Sequence, residues 1–140
     1  MNGKTIEEMK IGDTAEFAKT VSEGDIYQYA GVTGDFNPAH INEEYASNTF
    51  FKTRIAHGML SAGFISNVLG NQLPGPGAVY IHQSLNFKAP VRIGDTIKAV
   101  VEVINLEKDK NRVTLKTRCL NQEGAVVIDG EAVLSPVKKP

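Results

Sequence analysis

The sequence predicts a single α+β domain in which one long helix packs on a mostly antiparallel sheet. Residues 58–69 are apolar or small nearly all the way round, a pattern typical of a helix that is buried on most sides. From Ala78 onward the apolar residues recur with a period of two, which indicates strands. Several strands with short links pair mostly antiparallel, and one buried helix on such a sheet gives the α+β class.

The length and composition fit one compact domain. The chain has 140 residues, of which 41% are hydrophobic and 22% are charged, close to the globular average. We therefore expect one domain over residues 1–140, with a core of about residues 10–135. Lys and Arg total 15 against 16 Asp and Glu, a net charge of −1, so nucleic acid is not an expected partner.

The chain carries no signal for export or membrane insertion. Residues 1–8 lack the apolar stretch of a signal peptide, and residues 59–69 are too few to span a membrane. The single cysteine, Cys119, cannot form an internal disulfide and is expected to fill apolar core. We expect a cytoplasmic protein without a membrane partner.

Capping signals predict the helix boundaries. Ser22 is a candidate N-cap with Asp25 at the third helical position, and this first helix should end at Gly34. Asn42 can cap a second, short helix. The third and longest helix is broken by the Pro and Gly residues at 73–77.

Strands are expected before and after these helices. Residues 11–20 predict a first strand, and long strands are expected over residues 96–108, 111–121 and 125–135. The alternation after Ala78 predicts that one face is shared by Val79, Ile81, Leu85 and Phe87.

The segment at residues 33–40 holds the candidate catalytic groups. Asp35 and His40 stand five residues apart, and Pro38 disfavours helical geometry at Asn37. A loop here could bring a carboxylate and an imidazole together to orient a water, take one of its protons and return a proton to carbon. A structural alternative stays open, because Asp and Asn also stabilise turns and a lone histidine is often only hydrogen-bonded.

Residues 29–40, Tyr-Ala-Gly-Val-Thr-Gly-Asp-Phe-Asn-Pro-Ala-His, followed after five residues by Ala46, closely resemble the hydratase 2 motif of the MaoC-like (R)-specific enoyl-CoA hydratases. The resemblance continues in three further blocks, residues 55–60, 70–75 and 83–91. It covers essentially residues 10–135. One departure is Ala39, where many relatives carry Leu, Ile or Val, and it implies only a slightly roomier contact.

This resemblance implies a hot-dog fold and a defined reaction. The reaction is the reversible hydration of a trans-2-enoyl-CoA to the (R)-3-hydroxyacyl-CoA, with Asp35 and His40 as the catalytic pair. Gly58 matches the residue whose backbone N–H polarises the thioester carbonyl, Ser66 matches a supporting serine, and Asn37 is expected to shape the loop. Relatives with one such domain are typically homodimers, so we expect a homodimer whose small-molecule partner is an acyl-CoA.

Several of these residues keep a structural alternative. Gly58 could be required only for packing, and Ser66 could bond a backbone carbonyl one turn earlier. Basic residues that could meet the phosphates of coenzyme A are Lys52, Arg54, Lys88, Arg92 and Lys98. Apolar residues that could wall an acyl slot are Met59, Leu60, Phe64 and Val68. All nine could equally be ordinary surface or core residues.

No cofactor and no metal are expected. Coenzyme A is part of the substrate, and three scattered histidines with one cysteine show no metal-ligand spacing. His57 is expected to cap the long helix or to serve as a hydrogen-bond partner. His82 is expected on the polar face of a strand, exposed or at an interface.

Three other functions are weighed against the hydratase. Dehydration of a 3-hydroxyacyl group on acyl carrier protein would use the same pair. Hot-dog thioesterases usually place a carboxylate on or near the central helix, but residues 58–69 contain no Asp or Glu. A non-catalytic acyl-CoA binding module would not require both Asp35 and His40.

Overall fold

The computed structural model describes residues 2–140 and shows one six-stranded antiparallel sheet. The strands are β1 (Thr14–Thr20), β2 (Val79–Gln83), β3 (Asn86–Phe87), β4 (Thr96–Glu107), β5 (Arg112–Leu120) and β6 (Val126–Ser135). Their order in the sheet is β1-β4-β5-β6-β2, with β3 also paired to β6. The predicted α+β class and antiparallel pairing are confirmed.

Residues 2–140 also contain four α-helices and two short 3-10 turns. They are α1 (Glu23–Thr33), α2 (Pro38–Ile41), α3 (Glu43–Ser47), α4 (Gly58–Asn71) and the turns Ile6–Glu8 and Lys108–Lys110. Ser22 is the N-cap of α1 as predicted and forms a capping box with Asp25, and α1 ends at Gly34 with φ of 82°, a conformation that glycine adopts without steric cost. The side chain of Asn42 caps α3 as predicted.

The alternation predicted for Val79, Ile81, Leu85 and Phe87 is wrong. Ile81 is 50% exposed, and Tyr80 on the opposite face is 40% exposed. The pairing of β2 with β6 shifts register between Tyr80 and His82, so the period of two is interrupted. Because β2 lies at the end of the sheet order, no further strand of residues 2–140 pairs with its outer edge.

The core lies between α4 and the sheet. The buried residues of α4 are Ser61, Ala62, Ile65, Val68 and Leu69, and they pack with buried aliphatic residues of β4, β5 and β6. Full burial of one Ile or Leu side chain stabilises the fold by about 1.5–3 kcal/mol. This side of the helix is called the closed side below.

The prediction that α4 is buried on most sides is wrong for the single chain. Met59 is 52% exposed, and Gly63, Ser66 and Gly70 are exposed as well. These residues recur every three or four positions, so they form one stripe along the helix. This stripe of uncharged residues is called the open side of α4. None of the helices in residues 2–140 is both long and apolar enough to cross a membrane.

Candidate active site

The segment between α1 and α3 is a turn followed by one helical turn. The backbone N–H of Asn37 donates to Asp35 Oδ1 at 3.2 Å, and Asn37 Oδ1 accepts from the N–H of Ala39 at 3.0 Å. The segment is not a continuous helix, as predicted, because residues 34–37 separate α1 from α2, which Pro38 starts. Proline fits the first helical position, where its fixed φ suits the helix and its missing N–H is not needed. The geometry of Asn37 agrees with its expected loop-shaping role.

His40 is held in one orientation by a distant backbone carbonyl. Its Nδ1 lies 2.7 Å from the carbonyl oxygen of Ile55. A carbonyl can only accept a hydrogen bond, so Nδ1 carries the proton and Nε2 of the neutral ring keeps its lone pair. The contact is reinforced by the N–H of Ile55, which donates to the carbonyl oxygen of Ala39 at 3.2 Å. In its neutral form, His40 therefore presents Nε2 as the unprotonated nitrogen of a ring held in one orientation.

Asp35 and His40 meet beside a second histidine, His57. Ligand-type atoms of the three side chains all lie within 4.8 Å of one another. Asp35 is exposed and His40 half-buried, whereas His57 is only 2% exposed. The sequence-predicted pair is thus brought together at a place that solvent and a small substrate can reach.

His57 supports both members of the pair. Its Nε2 lies 2.9 Å from the backbone carbonyl oxygen of Asp35, and its ring centroid lies 3.9 Å from that of His40 and 4.5 Å from that of Tyr29. The side chain makes no capping bond to α4, so its alternative as a hydrogen-bond partner is confirmed. Its Nδ1 is buried without a partner within residues 2–140.

Two imidazoles and a carboxylate are also a donor set that transition metals use. In this cluster His40 Nδ1 and His57 Nε2 already lie at hydrogen-bond distance from backbone carbonyls. Only His40 Nε2, His57 Nδ1 and the Asp35 carboxylate remain for a metal. Two of these groups, the Asp35 carboxylate and His40 Nε2, are also the ones that proton transfer would use.

Gly58 is the first residue of α4. Backbone N–H groups in the first turn have no partner within the helix and lie at the positive end of its dipole. A Cβ at this position would lie 2.6 Å from the ring of Phe87, so a larger residue would require the ring or the backbone to shift. The packing alternative therefore stays open beside a hydrogen-bonding role for the N–H.

Two cavities beside α4 contain residues of the predicted site, and a smaller one is lined by Leu60 and Phe64 of the same helix. The first, about 440 Å³ in volume and called the His40 cavity, is lined by residues that include His40, Gly58, Ser61, Phe87, Lys88 and Ile128. The second, about 590 Å³ and called the Ser66 cavity, is lined by residues that include Tyr29, Met59, Ser66, Tyr80, His82 and Leu85. The first lies on the closed side of the helix and the second on the open side.

The predicted site residues divide between these places. Lys88 lines the His40 cavity, and Arg92 donates through Nη2 to the carbonyl oxygen of Phe51, another wall residue, at 3.1 Å. Met59 and Ser66 line the other cavity. Phe64 packs edge-to-face on Phe17, with ring centroids 5.8 Å apart, and lines neither.

Two of the other basic candidates already pair with carboxylates. Arg54 lies 2.6 Å from a Glu23 oxygen and 3.2 Å from a Glu43 oxygen, and the hydrogen bond to Glu23 raises the pKa of the guanidinium further. Lys98 Nζ lies 3.8 Å from a Glu16 oxygen. These pairs link residues far apart in sequence, so spacing along the chain could not reveal them.

Sequence reasoning passed over Ser61. Its side chain is 1% exposed and lines the His40 cavity together with Gly58. The available signal was its spacing, because a residue three positions after Gly58 lies on the same helix face. The predictions for His82 and Cys119 are confirmed. His82 is exposed, and Cys119 is buried, which raises the pKa of its thiol to about 12.

The profile of the MaoC like domain family matches residues 7–124. The chain belongs to this family. Among curated relatives, the (R)-specific enoyl-CoA hydratase of Rhodospirillum rubrum is 62% identical over 128 residues, which cover 91% of this chain and 88% of that protein. The 3-hydroxybutyryl-CoA dehydratase of Methylorubrum extorquens is 49% identical over 133 residues, covering 95% and 84%.

Solved structures agree with this MaoC-like assignment. The R-hydratase PhaJ1 of Pseudomonas aeruginosa, in its unliganded form, matches with a TM-score of 0.93 and 42% identity, covering 99% of this chain and 88% of that one. The resemblance noted in the sequence and the hot-dog fold that it implied are confirmed.

Proposed function

We propose that this MaoC-like protein catalyses the reversible hydration of a trans-2-enoyl-CoA to the (R)-3-hydroxyacyl-CoA. The observation that carries the proposal is the meeting of Asp35 and His40 within 4.8 Å, with His40 in the wall of a cavity that the N-terminus of α4 also lines. The names of the relatives above support the substrate class and the (R) configuration.

The chemistry follows from where charge moves during hydration. The carboxylate of Asp35 and Nε2 of His40 hold a water, take one of its protons as its oxygen bonds to C3, and return a proton to C2. Negative charge builds on the thioester carbonyl oxygen before C2 is protonated. The N–H of Gly58, at the positive end of α4, stabilises that oxygen, and one such fixed donor contributes roughly 3 kcal/mol.

Thioester hydrolysis fits the helix less well. The sequence of α4 is GMLSAGFISNVLGN, which places no carboxylate beside the thioester. Binding without turnover also fits less well, because a sensor needs no oriented base. The second candidate is dehydration of a 3-hydroxyacyl group on acyl carrier protein, which shares every step above and differs only in the carrier of the thioester.

Coenzyme A would enter along the His40 cavity. Lys88 lines it, and no ion pair of Lys88 is found within residues 2–140. Lys88 is therefore the better placed partner for a phosphate, with Arg92 held beside the cavity by Phe51. The positions of Met59 and Phe64 support contact with the acyl chain less directly.

A second copy of the chain would cover the open side of α4. Exposed apolar side chains line this region on β2 and the helix, among them Tyr80 at 40%, Ile81 at 50% and Met59 at 52%. An edge strand with unpaired backbone groups and apolar side chains is a site for pairing with another chain. Homodimerisation would place Ser66 at the interface.

A cytoplasmic location agrees with the free thiol of Cys119, because disulfides are rare in that compartment.

The decisive assay follows the ultraviolet absorbance of crotonyl-CoA mixed with purified protein. We expect a fall in the enoyl signal without release of free thiol, formation of the (R)-3-hydroxy product, and no loss of rate in EDTA, since no metal or cofactor takes part. His40→Ala should abolish the signal while the circular dichroism spectrum stays native.

Other outcomes would assign other functions. Release of thiol would indicate hydrolysis. Binding of acyl-CoA without turnover of short or long enoyl-CoA would contradict the proposal. A much higher kcat/KM with a carrier-protein thioester would favour the second candidate.

A further inference from the structure

Ser61 carries a buried hydroxyl that has no partner within residues 2–140. The residue is 1% exposed, and its Oγ makes no hydrogen bond. Buried polar side chains are almost always hydrogen-bonded, because an unmet hydroxyl loses its interaction with water and gains nothing in return. The group is therefore expected to meet a partner that the folded chain does not supply.

Helix geometry predicts that the Ser61 side chain leans toward the start of α4. Side chains on a helix lean toward the N-terminus and cover the preceding turn. Gly58 lies in that turn, and both residues line the His40 cavity. Serine hydroxyls inside helices often bond the carbonyl one turn earlier, but Ser61 Oγ makes no such bond. Its own backbone carbonyl oxygen accepts from Cys119 Sγ at 3.5 Å, which fixes the main chain at this position.

The cavity wall around Ser61 offers mainly apolar groups. Neighbouring lining residues include Ile55, Ala56, Val91 and Ile128, none of which has a polar side chain. Of the polar atoms in an enoyl thioester, the carbonyl oxygen is the one that must approach the N–H of Gly58. A hydroxyl over the same turn can reach the same oxygen.

We propose that the hydroxyl of Ser61 donates a second hydrogen bond to the thioester carbonyl oxygen, beside the N–H of Gly58. The inference rests on the proposed function and deepens it. As the water oxygen bonds to C3, the electron pair of the C2–C3 double bond shifts toward C1 and the carbonyl oxygen gains charge. When C2 takes a proton, that pair returns. Two donors fixed at the oxygen stabilise this charge without any reorganisation.

Ser61→Ala and Ser61→Cys test the proposal. Loss of one fixed donor at such an oxygen lowers kcat by about 100-fold, and we expect this for both variants with little change in KM for crotonyl-CoA. The matched control is Ser47→Ala, because within residues 2–140 the Ser47 hydroxyl donates to the carbonyl of Glu44 on α3 and lines neither cavity. That variant should keep the wild-type rate.

A spectroscopic measurement separates a donor from a packing group. Butyryl-CoA labelled with ¹³C at the carbonyl cannot be hydrated, and its carbonyl stretch in the bound state reports hydrogen bonds to the oxygen. We expect the stretch to shift to higher frequency in Ser61→Ala than in the wild type. An unchanged stretch together with wild-type kcat in both variants would overturn the inference.

The two proposals fail in different ways. If the wild type leaves crotonyl-CoA and longer enoyl-CoA thioesters unchanged, the proposed function itself is wrong. If the wild type hydrates them and the Ser61 variants match it, only the role of Ser61 is wrong.

Discussion

The two sides of α4 differ in how much of their surface a single chain buries. On the closed side, Gly58 and Ser61 face a cavity that also contains His40, and the residues below them are buried in the core. On the open side, Met59 and Ser66 line a larger cavity whose walls are exposed. The same uncharged helix therefore lines the proposed reaction site on one side and an exposed surface on the other.

We therefore assign the proposed chemistry to the closed side of α4 and the association of two copies to its open side. The groups that would transfer protons and hold the carbonyl oxygen all come from one chain, through the turn at Asp35 and the start of α4. The open side offers apolar area without a cover, which is the expected state of an interface between copies. Variants on the closed side should change turnover, whereas variants on the open side should first change the oligomeric state.

The largest effect is expected from Asp35→Asn. The amide keeps the shape of the side chain and the turn but cannot take a proton, so kcat for crotonyl-CoA should fall by about 10³-fold. Initial rates by absorbance measure this, and thermal melting checks that the fold is intact. Asp109→Asn, in the turn between β4 and β5, is the matched control and should keep full activity. Near-normal turnover of Asp35→Asn would remove Asp35 from the mechanism.

Gly58→Ala should produce the next largest effect. The new methyl group would lie 2.6 Å from the ring of Phe87, so the ring or the first turn of α4 must move. Small displacements of a catalytic group cost up to about 100-fold in rate, and we expect a loss of that order in kcat. Gly31→Ala in α1 is the control, because a Cβ there meets no heavy atom within 4 Å. Equal rates in the two variants would show that the geometry at Gly58 is not critical.

Local signals and the family resemblance account for what the sequence predicted well. Ser22 and Gly34 mark the ends of α1 through hydrogen bonds and backbone geometry that depend only on nearby residues. Asp35 and His40 were found because the motif around them is specific, and spacing alone left a structural alternative open. The one helical turn at Pro38 was missed, although proline at a first helical position is a recognised signal.

The sequence predictions that were wrong or missing concern features that depend on contacts between residues far apart in the chain. Ser61 became notable only when its burial and lack of a partner were seen. The alternation in β2 was broken by a register shift against β6, and pairing partners cannot be read from one strand. The uncharged composition of α4 predicted burial correctly for one side but could not show that the chain itself leaves the other side uncovered.

Ile81→Lys should break the assembly on the open side. Ile81 is 50% exposed on β2, and a charge buried between two copies would strongly disfavour the contact. Sedimentation velocity should show a dimer for the wild type and a monomer for this variant. Ile104→Lys is the control, since Ile104 is also an exposed strand residue, at 39%, but lies on β4. A wild type that sediments as a monomer would contradict the homodimer directly.

The last prediction compares the rates at which a thiol reagent labels a cysteine on each side of α4, and it involves the smallest expected effect. Burial raises the pKa of the Cys119 thiol to about 12, so at pH 8 only about one molecule in 10⁴ carries the reactive thiolate, against roughly a quarter for a free cysteine. Cys119 should therefore stay unlabelled by a thiol reagent until the protein unfolds. Because the folded pKa lies above the unfolded one, this thiol stabilises the fold at neutral pH, and that contribution declines as pH rises above about 8.5.

Met59→Cys supplies the matching thiol on the open side. Met59 is 52% exposed in the single chain, so a cysteine there should label quickly at low protein concentration and slowly where copies associate. Concentration-dependent labelling at residue 59 with none at Cys119 would show that the two sides differ as described. If Cys119 reacted as fast as the cysteine at residue 59, the closed side would open in solution, and the fixed geometry assigned to Gly58 and Ser61 would not hold.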